Sequence, residues 1–170
     1  MADDETVERD ETPAERADRN FDDILQELRV TQTGVQVLFS LLLTVPFSQR
    51  FEKVTGFQKD VYFVALLLAA ATVVFLVAPV SVHRMLFQTG EKPWVVKVSS
   101  RLAMAGLVLL CLTLTTVLLF VTDVLFDNTY AVVTATVFAA ATVTLWFVPP
   151  LFRLAGASSR AADRRTSPTP

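Results

Sequence analysis

Four long stretches without Asp, Glu, Lys or Arg constrain this chain more than any other feature of its sequence. Between Arg29 and Arg50 lie 20 such residues, and the corresponding stretches after Asp60, Arg101 and Asp127 contain 23, 21 and 25. The hydrocarbon core of a bilayer is about 30 Å thick, which a helix of roughly 20 apolar residues crosses. Each stretch is therefore long enough to span a membrane.

The length and continuity of these stretches predict an all-α fold. Although 52% of the 170 residues are hydrophobic, four such stretches in a soluble chain would leave almost no polar segments to cover them. A β-barrel is disfavoured, because its strands are shorter and alternate in hydrophobicity. Backbone groups in lipid must then bond within helices. We predict an integral membrane four-helix bundle preceded by an amphipathic cytoplasmic helix.

Composition divides the chain into three parts. The first, residues 1–19, is rich in Asp and Glu and is predicted to be a disordered cytoplasmic tail. The small and polar residues of 155–170 predict a flexible basic tail. Between them lies the predicted membrane domain, 20–154, with the amphipathic helix at 20–29 and spans at 30–48, 61–80, 102–122 and 130–150.

The first span is expected to continue directly from the amphipathic helix. Asn20 is the predicted N-cap, since Asn suits that position and Asp22 and Asp23 favour the positive end of the helix dipole. An apolar stripe then runs along one face and includes Gln32 and Gln36. We expect both amides to be buried and hydrogen-bonded to other spans. The alternative is that they line a small wet path together with threonines of the other spans.

Prolines and small residues predict where the spans end and touch. Pro46, Pro79 and the Pro149–Pro150 pair lie near the ends of spans and are interpreted as helix stops, because proline disrupts a helix interior. The alanines at positions 131, 135 and 139 recur every four residues. Such spacing lets helix backbones approach closely, so it predicts a contact between spans.

The distribution of basic residues predicts the orientation of the chain. If its first residues are cytoplasmic, four crossings place twelve Lys and Arg residues inside and three outside. The positive-inside rule counts basic residues without subtracting acidic ones. We therefore predict a multi-pass protein of the cytoplasmic membrane with both termini in the cytoplasm.

The predicted cytoplasmic hairpin between the second and third spans is suited to contact with lipid. The ring of Trp94 fits the membrane interface, and Lys92, Lys97 and Arg101 can reach anionic headgroups. We assign these four residues to a lipid interface. The acidic N-terminal segment, with a net charge of −7 over residues 1–29, would either dock on this hairpin or contact another protein.

Residues that catalyse reactions or bind metals are scarce. With one His and one Cys, the chain can form neither an internal disulfide nor a zinc site of usual composition. It has no phosphate-binding glycine loop, nucleophile elbow or zinc-protease motif. His83 has no carboxylate neighbour that would orient it as a general base. We expect no catalytic residues, no enzyme activity, no cofactor and no metal, and the dispersed basic residues disfavour nucleic-acid binding.

The scarcity of catalytic and metal-binding residues favours a function in which the protein acts by contact with other molecules. Pumps and antiporters usually keep ionisable residues within the membrane, and the four stretches contain no Asp, Glu, Lys or Arg. We expect a structural or regulatory partner of protein or lipid. The alternative is a small transporter or channel subunit for cations or protons, assembled as a homo-oligomer.

Two segments carry a resemblance to known proteins. They are "ELRVTQTGVQVLFSLLLTVPF" at 27–47 and "APVSVHRMLF" at 78–87, and the chain around them, from about residue 20 to 154, resembles a family of short bacterial integral membrane proteins described as a domain of unknown function. The resemblance implies a four-span bacterial protein, and some relatives carry a sodium/proton antiporter label. It places two matching segments near the cytoplasmic face, where we expect one polar cluster. Its members are Arg29, Gln32, Gln36, His83 and Arg84.

Overall fold

The computed structural model describes residues 12–86 and 92–166, which form an all-α fold as predicted. Each of its four α-helices contains a segment long and apolar enough to cross a membrane. The helices are α1 (Pro13–Thr44), α2 (Gly56–Leu86), α3 (Lys92–Leu125) and α4 (Asn128–Thr166). Their apolar segments are Leu25–Phe47, Gly56–Val82, Trp94–Leu125 and Asn128–Trp146. Two short 3₁₀ helices, Val45–Phe47 and Gln49–Lys53, lie between α1 and α2.

Helix α1 begins at Pro13, before the predicted N-cap at Asn20. The Oγ1 atom of Thr12 accepts a hydrogen bond from the Glu15 N–H at 3.3 Å, and the Glu15 carboxylate accepts one from the Thr12 N–H at 2.8 Å. This reciprocal capping box, with proline at the first helical position, is a strong start signal. The prediction of Asn20 as N-cap is therefore wrong. The amphipathic segment and the first span are one unbroken helix.

Helical structure also extends into segments that were predicted to be tails. Residues 13–19 belong to α1, and residues 155–166 belong to α4. Residues 1–11, 87–91 and 167–170 lie outside the described part of the chain. Disorder of the first residues, and docking of the acidic segment on the hairpin, therefore stay predictions.

Prolines end fewer helices than expected. Helix α2 continues through Pro79, and α4 continues through Pro149 and Pro150, so the interpretation of these residues as helix stops is wrong. Pro46 does follow the end of α1, in the first 3₁₀ helix. An interior proline removes one backbone hydrogen bond, and neighbouring groups in a membrane protein can compensate for that loss.

The chain forms two compact units, and α2 and α3 contribute to both. The first unit comprises residues 1–48 and 66–110. On α1 its core contains a stripe with seven-residue spacing, formed by Leu28, Val35 and Leu42. This spacing is two helical turns, so the three side chains lie on one face.

The second unit comprises residues 49–65 and 111–170. Its core includes an aromatic cluster in which the Tyr62 ring lies 5.1 Å from Phe51 and 5.6 Å from Phe120, between centroids. Of the three alanines with four-residue spacing on α4, Ala131 and Ala135 are buried as well, and Ala139 is half-buried. Small side chains here allow close packing of α4 within this unit.

Gly106 marks a close approach of α3 to α2 within the first unit. A Cβ atom added to Gly106 would lie 2.6 Å from Cδ2 and 2.9 Å from Cγ of Leu76. Leu76 is fully buried, and side chains in a close-packed core have little room to move. This contact therefore requires glycine at position 106.

We expect Gly106→Ala to lower the free energy of unfolding by about 1–3 kcal/mol, because the new methyl group must displace Leu76. Gly34→Ala is the matched control, since a Cβ atom on Gly34 meets nothing within 4 Å. That change should stabilise helix α1 by about 0.5–1 kcal/mol. Unfolding in detergent, followed by circular dichroism, measures both variants. Equal stabilities would contradict the close contact at Gly106.

Candidate functional site

Gln32 links two helices of the first unit. Its Nε2 atom donates a hydrogen bond to the backbone oxygen of Leu76 on α2, at 2.6 Å. The Gln32 side chain is half-buried, and three residues later Val35 is 2% exposed. The bond therefore lies at the packed face of α1. It joins positions 44 residues apart and fixes α1 against α2.

Pro79 lies one helical turn beyond Leu76 on α2 and is buried. Proline has no N–H group, and its ring pushes against the carbonyl four residues earlier, here that of Phe75. Phe75, rather than Leu76, therefore loses its helical donor. The Leu76 oxygen has two lone pairs, so it can accept the Gln32 amide in addition to a bond within its own helix.

Gln36 is placed differently from Gln32. It is exposed, because the packed stripe of α1 passes from Gln32 to Val35 and then to Phe39. Gln36 lies one residue beyond Val35 and so about 100° further around the helix. The expectation that both amides face the packed surface is therefore wrong for Gln36.

The charged members of the predicted polar cluster lie at the surface. Arg29 and Arg84 are exposed, and neither side chain makes a hydrogen bond or an ion pair with another described residue. His83 lies in α2, but its side chain is outside the described part of the structure. The polar cluster as a whole stays a prediction.

Three of the four residues assigned to the lipid interface lie on one face of α3. Trp94 is 51% exposed, and Lys97 and Arg101 are exposed as well. Their spacings of three and four residues place them on the same side of the helix, whereas Val95 and Ser99 are buried. The side chain of Lys92 is outside the described part. We call Trp94, Lys97 and Arg101 the basic face of α3.

Hydroxyl groups within the spans bond mainly to their own helices. Thr72 donates to the Leu68 carbonyl at 2.7 Å, Thr115 to that of Cys111 at 2.8 Å and Thr116 to that of Leu112 at 2.8 Å. Such bonds satisfy a hydroxyl without a second helix. These threonines therefore need not line a polar path.

A second contact between helices, which the sequence did not reveal, involves Gln58 in the second unit. Its Nε2 atom donates to Oδ2 of Asp123 at 2.9 Å and to the Asp123 backbone oxygen at 3.2 Å. Its Oε1 atom accepts from the Thr55 N–H at 2.9 Å, and the Gln58 N–H donates to Oγ1 of Thr55 at 3.2 Å. One side chain thus caps α2 and holds the end of α3. A Thr followed three residues later by Gln signals the cap, but no local pattern signals the contact with Asp123.

Asp127 has a structural role next to this contact. Its Oδ1 atom accepts hydrogen bonds from the N–H groups of Thr129 at 2.9 Å and Tyr130 at 3.1 Å. It therefore caps the start of α4, where a negative charge also favours the helix dipole.

The described residues offer little chemistry for catalysis. Among residues 12–86 and 92–166, no group of three or more His, Cys, Asp or Glu side chains is placed to hold a metal ion. Cys111 is buried. A groove of about 610 Å³ between α3 and α4 in the second unit is lined by apolar side chains and by Thr115 and Thr136. Its chemistry suits a hydrocarbon chain better than a polar substrate.

We expect Gln32→Leu to lower the free energy of unfolding by about 0.6–2 kcal/mol, because the Leu76 carbonyl loses its donor. Gln26→Leu removes an exposed amide from the same helix and should have little effect. Denaturant unfolding in detergent at low protein concentration compares the two. A Gln32→Leu variant as stable as the wild type would contradict a structural role for this bond.

Gln58→Leu should destabilise the protein by about 1–3 kcal/mol, since a hydrogen bond to a charged group and a helix cap are both lost. Gln49→Leu, in the exposed second 3₁₀ helix, is the control for loss of an amide. Thermal unfolding measures the difference. Equal melting temperatures for the two variants would show that the contact between Gln58 and Asp123 does not contribute to stability.

Comparison with known proteins places the chain in a family. The model of the Family of unknown function (DUF6328) matches residues 10–150, which include the whole of α1, α2 and α3 and the apolar segment of α4. No curated protein and no solved structure matches the chain. The resemblance to an uncharacterised family is confirmed, and the family description names no transport activity. The chain therefore belongs to DUF6328, a family of unknown function.

Proposed function

We propose that the protein acts by contact, as a structural or regulatory partner of lipid or of another protein at the cytoplasmic face of a bacterial membrane. The basic face of α3 carries this proposal. It lies at the first residues of the apolar segment Trp94–Leu125, where an indole ring and long basic side chains suit the headgroup region. Each basic residue near an anionic membrane surface contributes about 1 kcal/mol to binding.

The distribution of charge supports the proposed location and orientation. Four spans bring both ends of a chain to the same side, and twelve of the fifteen Lys and Arg residues then fall on the side of the termini. The positive-inside rule makes this side cytoplasmic. The likeness of the two motif segments to bacterial membrane proteins supports a bacterial host.

The first part of α1 supports contact with a protein as well as with lipid. Between Pro13 and the start of the apolar segment at Leu25 lie 12 helical residues, about 18 Å at 1.5 Å per residue. Glu15, Arg19 and Asp23 are exposed on this part. It presents side chains of both signs on a regular helix, a surface that suits recognition by a protein with complementary charge.

Transport has less support from the hydrogen bonds. The Gln32 amide is engaged by Leu76, and Thr72 and Thr115 bond to their own helices. Asp123 and Asp127 hold helix ends. A small oligomeric transporter or channel subunit is nevertheless the alternative. Gln36, exposed within the first span, is the side chain that its path would use.

Retention of anionic lipid tests the proposal. Lys97→Gln combined with Arg101→Gln should weaken binding of phosphatidylglycerol or cardiolipin by about fivefold per residue, the equivalent of about 1 kcal/mol. Lys53→Gln combined with Lys59→Gln removes the same charge from exposed residues elsewhere. Native mass spectrometry of protein extracted with its lipids measures the bound fraction. Equal retention by the wild type and both double variants would overturn the lipid role.

Flux measurements separate the proposal from its alternative. The wild-type protein in sealed liposomes should not dissipate a sodium or proton gradient faster than protein-free liposomes do. A flux that is present in the wild type and lost in Gln36→Leu would overturn the contact role and support transport.

A further inference from the structure

The first span carries polar residues on its exposed side. Thr33, Gln36, Ser40 and Thr44 are all exposed. Their spacings of three, four and four residues place them within about 80° of one another around the helix, at 100° per residue. We call these four residues the polar stripe of α1. The packed stripe through Val35 lies on a different side of the same helix.

Three members of the polar stripe are satisfied by their own helix. Thr33 donates to the Arg29 carbonyl at 3.0 Å, Ser40 to that of Gln36 at 2.8 Å and Thr44 to that of Leu41 at 2.7 Å. Hydroxyls bonded in this way cost little in lipid. The Gln36 side-chain amide differs, because it makes no hydrogen bond to any residue in the described part of the chain.

The position of Gln36 makes its amide costly. Gln36 lies within the uncharged stretch between Arg29 and Arg50. Seven residues along the helix, about 10 Å, separate it from Arg29, the nearer end of that stretch. A glutamine side chain cannot reach interfacial water over that distance, and hydrocarbon offers an amide no hydrogen-bonding partner.

We propose that the polar stripe of α1 is a dimer interface, in which the Gln36 amides of two copies of this chain bond to each other. A glutamine amide carries two N–H donors and one oxygen acceptor, so two amides related by a two-fold axis satisfy each other reciprocally. Both copies cross the membrane in the same direction, so α1 pairs in parallel with Gln36 level with itself. Self-complementarity identifies a second copy as the partner.

The neighbours of Gln36 on the polar stripe permit a close approach. Ser40 and Thr33 are small, and small residues at an interface between spans let the two backbones come together. Gln32, four residues earlier, is not available for such a dimer because its amide bonds to Leu76. The dimer does not depend on the proposed lipid contact, which uses a different helix.

Measurement of self-association in lipid tests the dimer. The full-length chain, labelled with one fluorophore, is reconstituted in phosphatidylcholine vesicles over a range of protein-to-lipid ratios, and photobleaching steps give the dimer fraction. Gln36→Leu should weaken association by about 3- to 30-fold. Val30→Leu, on the exposed face outside the polar stripe, should leave it unchanged. A wild type that is monomeric at every ratio, or equal association by Gln36→Leu, would overturn the proposal.

Disulfide crosslinking tests the geometry of the interface. Cys111 is the only cysteine, so Cys111→Ala provides a background without thiols. Ser40→Cys in that background should give covalent dimers with an added oxidant in vesicles. Leu41→Cys is the control, because Leu41 is 60% exposed but lies off the polar stripe. More efficient crosslinking through Leu41→Cys than through Ser40→Cys would place any dimer on another face and overturn the proposal.

Discussion

An amide in hydrocarbon without a hydrogen-bonding partner costs several kcal/mol, and the architecture of this protein follows from avoiding that cost. The backbone satisfies itself in four long helices. The hydroxyls of Thr72, Thr115 and Thr116 donate hydrogen bonds to carbonyls of their own helices. The amide of Gln32 on α1 donates its hydrogen bond to the Leu76 carbonyl on α2. Polar residues in the spans are thus part of the packing.

Each of the two compact units contains a contact of the same kind. In the first, Gln32 donates to the main-chain oxygen of Leu76, and in the second, Gln58 donates to the main-chain oxygen of Asp123. Glutamine suits this role because its amide stands at the end of a side chain long enough to cross between packed helices. Leu76 accepts through its backbone alone, so the identity of that residue contributes little, whereas Asp123 also accepts through its carboxylate at 2.9 Å.

That chemistry explains how much the sequence could predict. The four spans depend on local runs of uncharged residues, which are visible in any single chain, and they were predicted correctly. A hydrogen bond from Gln32 to another span was predicted, but its acceptor could not be, because every residue of a neighbouring helix has a carbonyl. The contact of Gln58 with Asp123 has no local pattern in the sequence. Gly106 likewise has no local pattern that distinguishes it from Gly34. The burial of Gln36 was wrongly predicted because the apolar stripe was drawn too wide, and Gln36 lies about 100° around the helix from the buried Val35.

Helix α1 has a further consequence because it runs from its cap at Thr12 into the membrane without interruption. Its 32 residues make a rod of about 48 Å, and sharp bends in helices need an interior proline, a Gly/Ser pair, a π-bulge or an inserted group. After Pro13, α1 contains no proline. A torque applied to its water-exposed end would therefore turn its lipid-embedded end by nearly the same angle. The two ends of α1 are therefore mechanically coupled, so that a rotation imposed on the segment before Leu25 is transmitted along the apolar segment Leu25–Phe47.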